Sequence, residues 1–109
     1  MKNLKFEYLY RDAGNYKNWG EVVFYNKSCM SVESIRQEII SKLIDKKFFV
    51  ASALKIKDLH FAIADADLDH EWHEFNNCSL TNEPVNDEEK RDISEIIKTL
   101  ESIKLSASL

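Results

Sequence analysis

LKFEYLY, residues 4–10, sets Leu4, Phe6, Tyr8 and Tyr10 at every second position, with Lys5 and Glu7 between them. That is the period of a strand with one buried face, and it predicts a first strand over residues 4–10. The stretch that follows, Arg11 to Asn18, supplies aspartate, glycine and two asparagines, which is turn chemistry. WGEVVFYN, residues 19–26, then resumes with aromatic and β-branched residues, so the two strands are expected to form an antiparallel hairpin closed by an eight-residue loop. Val22, Val23, Phe24 and Tyr25 are apolar on both parities, which predicts that the second strand is more central than the first.

Downstream the period changes. Ser31 is a good N-cap, and Val32, Ile35, Ile39, Ile40, Leu43 and Ile44 trace a helical stripe expected to run through residue 46. KKFFVAS, residues 46–52, reads as a short buried strand, and Leu59, Phe61 and Ile63 alternate as another. Trp72, Phe75 and Cys78 give residues 71–80 strand character, while Asn76 and Asn77 predict an edge or a bulge there. Asn86 is placed to cap a last helix with Glu89 as its capping-box partner, and Ile93, Ile96, Ile97, Leu100 and Ile103 form that helix's apolar face. The order β-β-α-β-β-β-α predicts an α+β fold, a mostly antiparallel sheet of four to five strands with two helices packed on it. At 109 residues, 44% of them hydrophobic, the chain fits a single domain spanning residues 1–109 with a core that needs no staples.

Charge is distributed unevenly. Residues 1–57 carry a net +5, residues 58–89 a net −10 and residues 90–109 a net +1. The middle segment holds ten carboxylates, no lysine or arginine, and all three histidines. A block of this kind is solvated, binds a cation or faces a basic partner. Asp65, Asp67, Asp69, Glu71, Trp72 and Glu74 are therefore the candidate partner-binding residues, with Trp72 and Phe75 as apolar anchors. Asp65-x-Asp67-x-Asp69 begins like a calcium loop, but His70 stands where the turn needs glycine and Asn76 where the bidentate glutamate belongs, so an EF-hand is excluded.

The same block supports a second reading. His60, Asp69, His70 and His73 combine imidazole and carboxylate in the manner of a zinc, manganese or iron site, with Asp65 and Asp67 close by. A small metal-dependent hydrolase acting on a phosphate ester would use Glu74 as its base and Arg11 to stabilise negative charge. Outside that reading no cofactor is expected, because no phosphate loop, dinucleotide fingerprint or nucleophile elbow is present. Cys78 lies five residues beyond His73, which on a regular strand sets the two on opposite faces and argues against a thiol–imidazole pair.

The hairpin loop is a third candidate. Arg11, Asn15, Tyr16, Lys17 and Trp19 interleave aromatics with cations in the pattern used to stack bases and meet phosphates. Two cations beside an acidic block argue against nucleic acid, and the favoured class is a non-enzymatic module that binds a protein with a basic surface. Self-association through an exposed strand edge, giving a homodimer, is compatible with either reading. MKNLKFEYLY lacks the apolar run of a signal peptide and no window of 18 apolar residues occurs, so the expectation is a cytoplasmic protein, not a membrane one, with reduced thiols at Cys29 and Cys78.

YRDAGNYKNWGEVVF, residues 10–24, and DHEWHEF, residues 69–75, resemble the motif segments of a scattered group of small uncharacterised bacterial proteins, over about residues 6–87. The resemblance implies a bacterial origin and carries no activity, ligand or catalytic residue with it.

Overall fold

The computed structural model describes residues 2–12, 14–59 and 72–107. Its elements are β1 (Asn3–Arg11), β2 (Lys17–Phe24), α1 (Val32–Ser41), β3 (Phe48–Val50), β4 (Trp72–Thr81) and α2 (Ile93–Ala107). The four strands form one antiparallel sheet in the order β2-β1-β4-β3, and with the two helices this is the α+β architecture that the alternation and the helical stripes predict. Of the further strand expected around Leu59, Phe61 and Ile63, Leu59 lies in irregular chain and the other two fall outside the described residues. No helix among the described residues is long and apolar enough to cross a membrane.

β1 places Leu4, Phe6, Tyr8 and Tyr10 on the core face, as its period requires. Phe6 sits at the middle of the aromatic packing, with the rings of Tyr8, Phe24, Phe49 and Phe75 at centroid distances of 5.9, 6.2, 5.6 and 5.2 Å. Truncating such a residue to alanine costs about 3–5 kcal/mol through lost transfer energy and the cavity left behind. Ile35, Ile39 and Leu43 from the α1 region and Ile93, Ile96 and Leu100 of α2 cover this face.

The strand ranks differ from the sequence expectation. β1 is central and β2 is an edge. Val22, Val23 and Phe24 are nevertheless all buried, because the segment before α2 runs along the outside of β2. Val23 N donates to Asn86 Oδ1 (2.8 Å) and Val23 O accepts from Asn86 N (3.2 Å). Further along, Tyr25 N donates to Arg91 O (3.1 Å) and Ile93 N to Tyr25 O (2.8 Å). Double-sided burial here reflects a covering loop at one end of the strand, not a second neighbouring strand.

β4 is central as well, paired with β1 on one side and β3 on the other, and the asparagines mark a bulge, not an edge. Glu7 pairs with Asn77 and Tyr8 with Phe75, so Asn76 is the extra residue. One extra residue inverts parity along the strand. His73, Phe75 and Cys78 thus all face the core, which corrects the expectation that His73 and Cys78 lie on opposite faces. They stay well apart along the strand, since Cys78 pairs with Phe6 while the His73 ring packs against Tyr10.

Both helices start later or stop earlier than their stripes. α1 is capped by Ser31, whose side chain accepts from Ser34 N, but it ends at Ser41 because Asp45 and Lys46 adopt left-handed backbone (φ 53° and 59°) to turn the chain into β3. α2 is capped by Asp92, not Asn86. Asp92 Oδ2 accepts from Ser94 N (3.0 Å) while Glu95 Oε2 accepts from Asp92 N (2.8 Å), a reciprocal capping box. Asn86 is already engaged at the β2 edge, and Lys90, at φ 51°, turns the chain before the helix begins.

Candidate functional site

The sheet register sorts the candidate residues onto two faces. On the outer face, away from the helices, Trp19, Leu9, Glu74 and Phe48 lie in one row across all four strands. Glu74 is only 5% exposed and is held by two cations. Arg11 Nε donates to Glu74 Oε2 (2.8 Å) and Arg11 Nη2 to Glu74 Oε1 (3.3 Å), while Lys47 Nζ lies 3.2 Å from Oε1. The Arg11 hydrogen bond is the chief reason that the Glu74 carboxyl lies below the ordinary carboxylate range; burial opposes it and Lys47 reinforces it. A carboxylate held in this way is a poor base, and it offers little negative charge to a partner.

Arg11 links two groups of candidates that the sequence kept separate. Its Nη1 donates to Asn15 Oδ1 (2.6 Å), so the cation of the hairpin loop is turned back onto the sheet and does not reach outward. Asn15 takes the left-handed backbone (φ 68°) that closes the loop, and Tyr16 N donates to Asp12 Oδ1 (2.9 Å). Tyr16, Lys17 and Trp19 remain exposed, Tyr16 at 72% and Trp19 at 56%.

His73 lies on the opposite, core-facing side. It is 1% exposed, and its ring packs against Tyr10 (5.2 Å), Tyr8 (6.0 Å) and Phe49 (6.0 Å). Its Nε2 accepts from Leu59 N (3.0 Å), so in this geometry that nitrogen carries the lone pair inward to the backbone. Tyr8 Oη donates to Lys57 O (2.6 Å) and Asn18 Nδ2 to Leu59 O (3.0 Å), so three strands hold residues 57–59 as a strap. Leu59 then closes over Gly20, where an added Cβ would meet Leu59 Cδ2 at 3.0 Å. Burial, and secondarily Asp58, pushes the Tyr8 phenol up to about 12.

His60, Asp65, Asp67, Asp69, His70 and Glu71 lie outside the described residues. Among the described residues no three histidine, cysteine, aspartate or glutamate side chains are grouped to hold a metal ion. Both cysteines are free thiols; Cys29 is exposed, and burial raises the pKa of Cys78. The carboxyls of Glu74, Asp87 and Asp92 lie below their ordinary range and Tyr8 and Cys78 lie above theirs, so none of these five groups is drawn toward neutrality as an acid–base catalyst would be.

Among the described residues, four carboxylates of the acidic block are paired with lysine or arginine. Besides Glu74, Glu83 pairs with Lys5, Asp87 with Arg91, and Glu89 with Lys55 and Arg91. The outer face also brings two carboxylates together at positions the sequence did not single out. Glu7 stands directly opposite Glu21 in the β1–β2 register, and with Trp19, Gly20 and Asn76 they line a shallow hollow of about 300 Å³. Lys5 lies 3.4 Å from Glu21, whereas Glu7 has no ion pair among the described residues. Like charges directly opposite across two strands destabilise a sheet. Only the pairing register could have revealed the pair. Trp72, 39% exposed, stacks on Phe48 at 5.3 Å and completes the aromatic surface. No family model matches the chain, nor does any curated protein or solved structure.

Proposed function

We propose that this chain is a bacterial cytoplasmic accessory or regulatory protein that works without catalysis, by binding a protein partner with a basic surface. The outer sheet face and the acidic stretch that leads into β4 form its contact surface. The observation that carries this reading is the pairing of exposed Trp19 and Trp72 with the opposed carboxylates Glu7 and Glu21 on one face. Tryptophan supplies a large rigid contact area at low entropic cost, and it is enriched among the residues that dominate interface energies. Two opposed carboxylates are relieved when a lysine or arginine of a partner enters between them.

Truncating one anchor of this kind costs about 2 kcal/mol of binding, close to 30-fold in affinity. The test is capture of partner from bacterial lysate by immobilised protein, followed by titration of the purified partner. Trp72→Ala, Glu7→Lys and reversal of Asp65, Asp67 and Asp69 to lysine are each expected to weaken capture without lowering the melting temperature much, and Glu7→Lys, which relieves the repulsion from Glu21, should raise it slightly. Lys98→Ala, on the exposed side of α2, serves as the control. Equal retention by Trp72→Ala, Glu7→Lys and wild type would overturn the proposal.

A further inference from the structure

The outer edge of β2 is half covered. Val23 and Tyr25 direct their backbone groups away from β1 and are met there by Asn86, Arg91 and Ile93. Backbone direction alternates along an antiparallel strand, so Lys17, Trp19 and Glu21 also turn their N–H and C=O groups outward. No backbone hydrogen bond from a described residue meets those three. The open edge is about 17 Å long at strand rise. Lys17, Trp19 and Glu21 also share the outer face, because each of them pairs with an outer-face residue of β1: Arg11, Leu9 and Glu7 respectively.

We infer that this edge pairs with the same edge of a second copy of the chain, antiparallel and centred on Trp19, to make a continuous eight-stranded sheet. The sequence at the edge is self-complementary in that register. With Trp19 facing Trp19 of the partner copy across a two-fold axis, Lys17 of each copy faces Glu21 of the other, so every charged residue on the edge meets its opposite. Three pairs of outward-turned residues exchange six backbone hydrogen bonds, and the two indoles meet on the outer face. In a parallel arrangement in register, Lys17 would face Lys17 and Glu21 would face Glu21.

A second feature fits the same register. One residue beyond the charge pair, Tyr16 of one copy comes opposite Val22 of the other. Tyr16 is the most exposed of the large hydrophobic side chains among the described residues. Beside Val22 lies a hollow of about 430 Å³ floored by Val22 and Ile56 and walled by Lys57, Asn86 and Glu88. A tyrosine placed there buries its ring on the two aliphatic side chains and keeps its hydroxyl among polar groups. The segment that covers Val23 then ends the pairing, so the edge accepts one strand of limited length instead of an open-ended stack.

Sedimentation velocity of the purified chain from about 1 to 500 µM, with wild type, Lys17→Glu, Glu21→Lys and the double variant, tests this register. Wild type is expected to dimerise. Each single reversal sets two like-charge pairs across the axis and raises the dissociation constant about tenfold or more. The double variant re-creates both pairs with the signs exchanged and is expected to recover to within about fivefold of wild type. Trp19→Pro removes an edge N–H that makes no bond to β1, and should weaken the dimer well beyond Trp19→Ala; if it does not fold, the charge exchange still decides. A wild type that stays monomeric at about 500 µM, equal constants in all four proteins, or a double variant no tighter than the singles would overturn the inference. Partner capture through Trp72 and Glu7 is read separately, so either proposal can fail while the other stands.

Discussion

Replacing Asp87 by asparagine should remove a large part of the stability of this fold, and the loss should depend on pH. Asp87 Oδ2 accepts from Arg91 N (3.0 Å) and Arg91 Nε (3.0 Å), and Oδ1 accepts from Arg91 Nη2 (2.9 Å). The two side chains are 2% and 12% exposed. Arg91 also donates from Nη1 to Leu54 O (2.6 Å), so the pair bolts the covering segment of β2 to the turn before the strap. Breaking a buried pair by removing one partner costs about 3–5 kcal/mol. Glu89, 3.4 Å from Arg91 Nε and half exposed, compensates in part, which brings the expected loss to about 2–3 kcal/mol. With an m-value of about 1–1.5 kcal/mol per molar, the urea midpoint should fall by about 2 M at an unchanged slope. Burial pushes the Asp87 carboxyl up, but hydrogen bonds from the Arg91 side chain and backbone outweigh it and leave the pKa below the ordinary value. The unfolded chain thus takes up this proton at a higher pH than the folded one. The contribution is complete above about pH 5 and lost as pH falls through the folded pKa, so the gap between wild type and Asp87→Asn should close in acid. A deficit below about 0.5 kcal/mol at pH 7, or one of equal size at pH 3 and pH 7, would refute the reasoning.

Tyr8→Phe should cost about 1 kcal/mol by removing the hydrogen bond to Lys57 O, measured by urea unfolding at neutral pH. Because the folded phenol is raised to about 12, its contribution is present below about pH 10 and lost as pH rises through 12; a spectrophotometric titration should find one tyrosine ionising last, and absence of that late step in Tyr8→Phe checks the assignment. Deleting Asn76 should leave the fold intact to within about 1 kcal/mol, since it restores one-to-one pairing while Phe75 and Cys78 keep their face. In a Cys29→Ser background, a Cys78 thiol that becomes reactive after this deletion would show that the strand had slipped.

The elements read best from sequence were those whose period survives the whole element. β1 keeps Leu4, Phe6, Tyr8 and Tyr10 on the core face as its alternation predicts, although Leu9 is buried on the outer face and the strand takes the central place that the sequence assigned to β2. β4 alternates in two frames on either side of Asn76, so Trp72, Phe75 and Cys78 give no single period, and a central strand reads as an edge or a bulge. β2 shows the converse error, since a covering loop and a neighbouring strand bury Val23 equally well and composition does not tell them apart. Asn86 and Asp92 are both sound caps by residue type; only the fold shows that the β2 edge claims one of them. Of the candidate residues, Arg11, Tyr16, Trp19, Trp72 and Glu74 lie on the outer face or the hairpin loop. What could not be read was the partnership of Arg11 with Glu74, 63 residues away, and the meeting of Glu7 with Glu21.

The pairing of Glu74, Glu83 and Glu89 with cations from the first half of the chain also bears on how the fold is reached. β1 must find β4 across most of the sequence, and bringing such distant segments together is the slow, entropically costly part of assembling a sheet. In the unfolded chain a segment of net +5 adjoins one of net −10, and their attraction draws the two together before any strand has formed. Salt weakens that attraction in the expanded chain more than it weakens the native pairs that are shielded from solvent. The refolding rate of this chain is therefore tied to ionic strength, while its unfolding rate depends on salt far less.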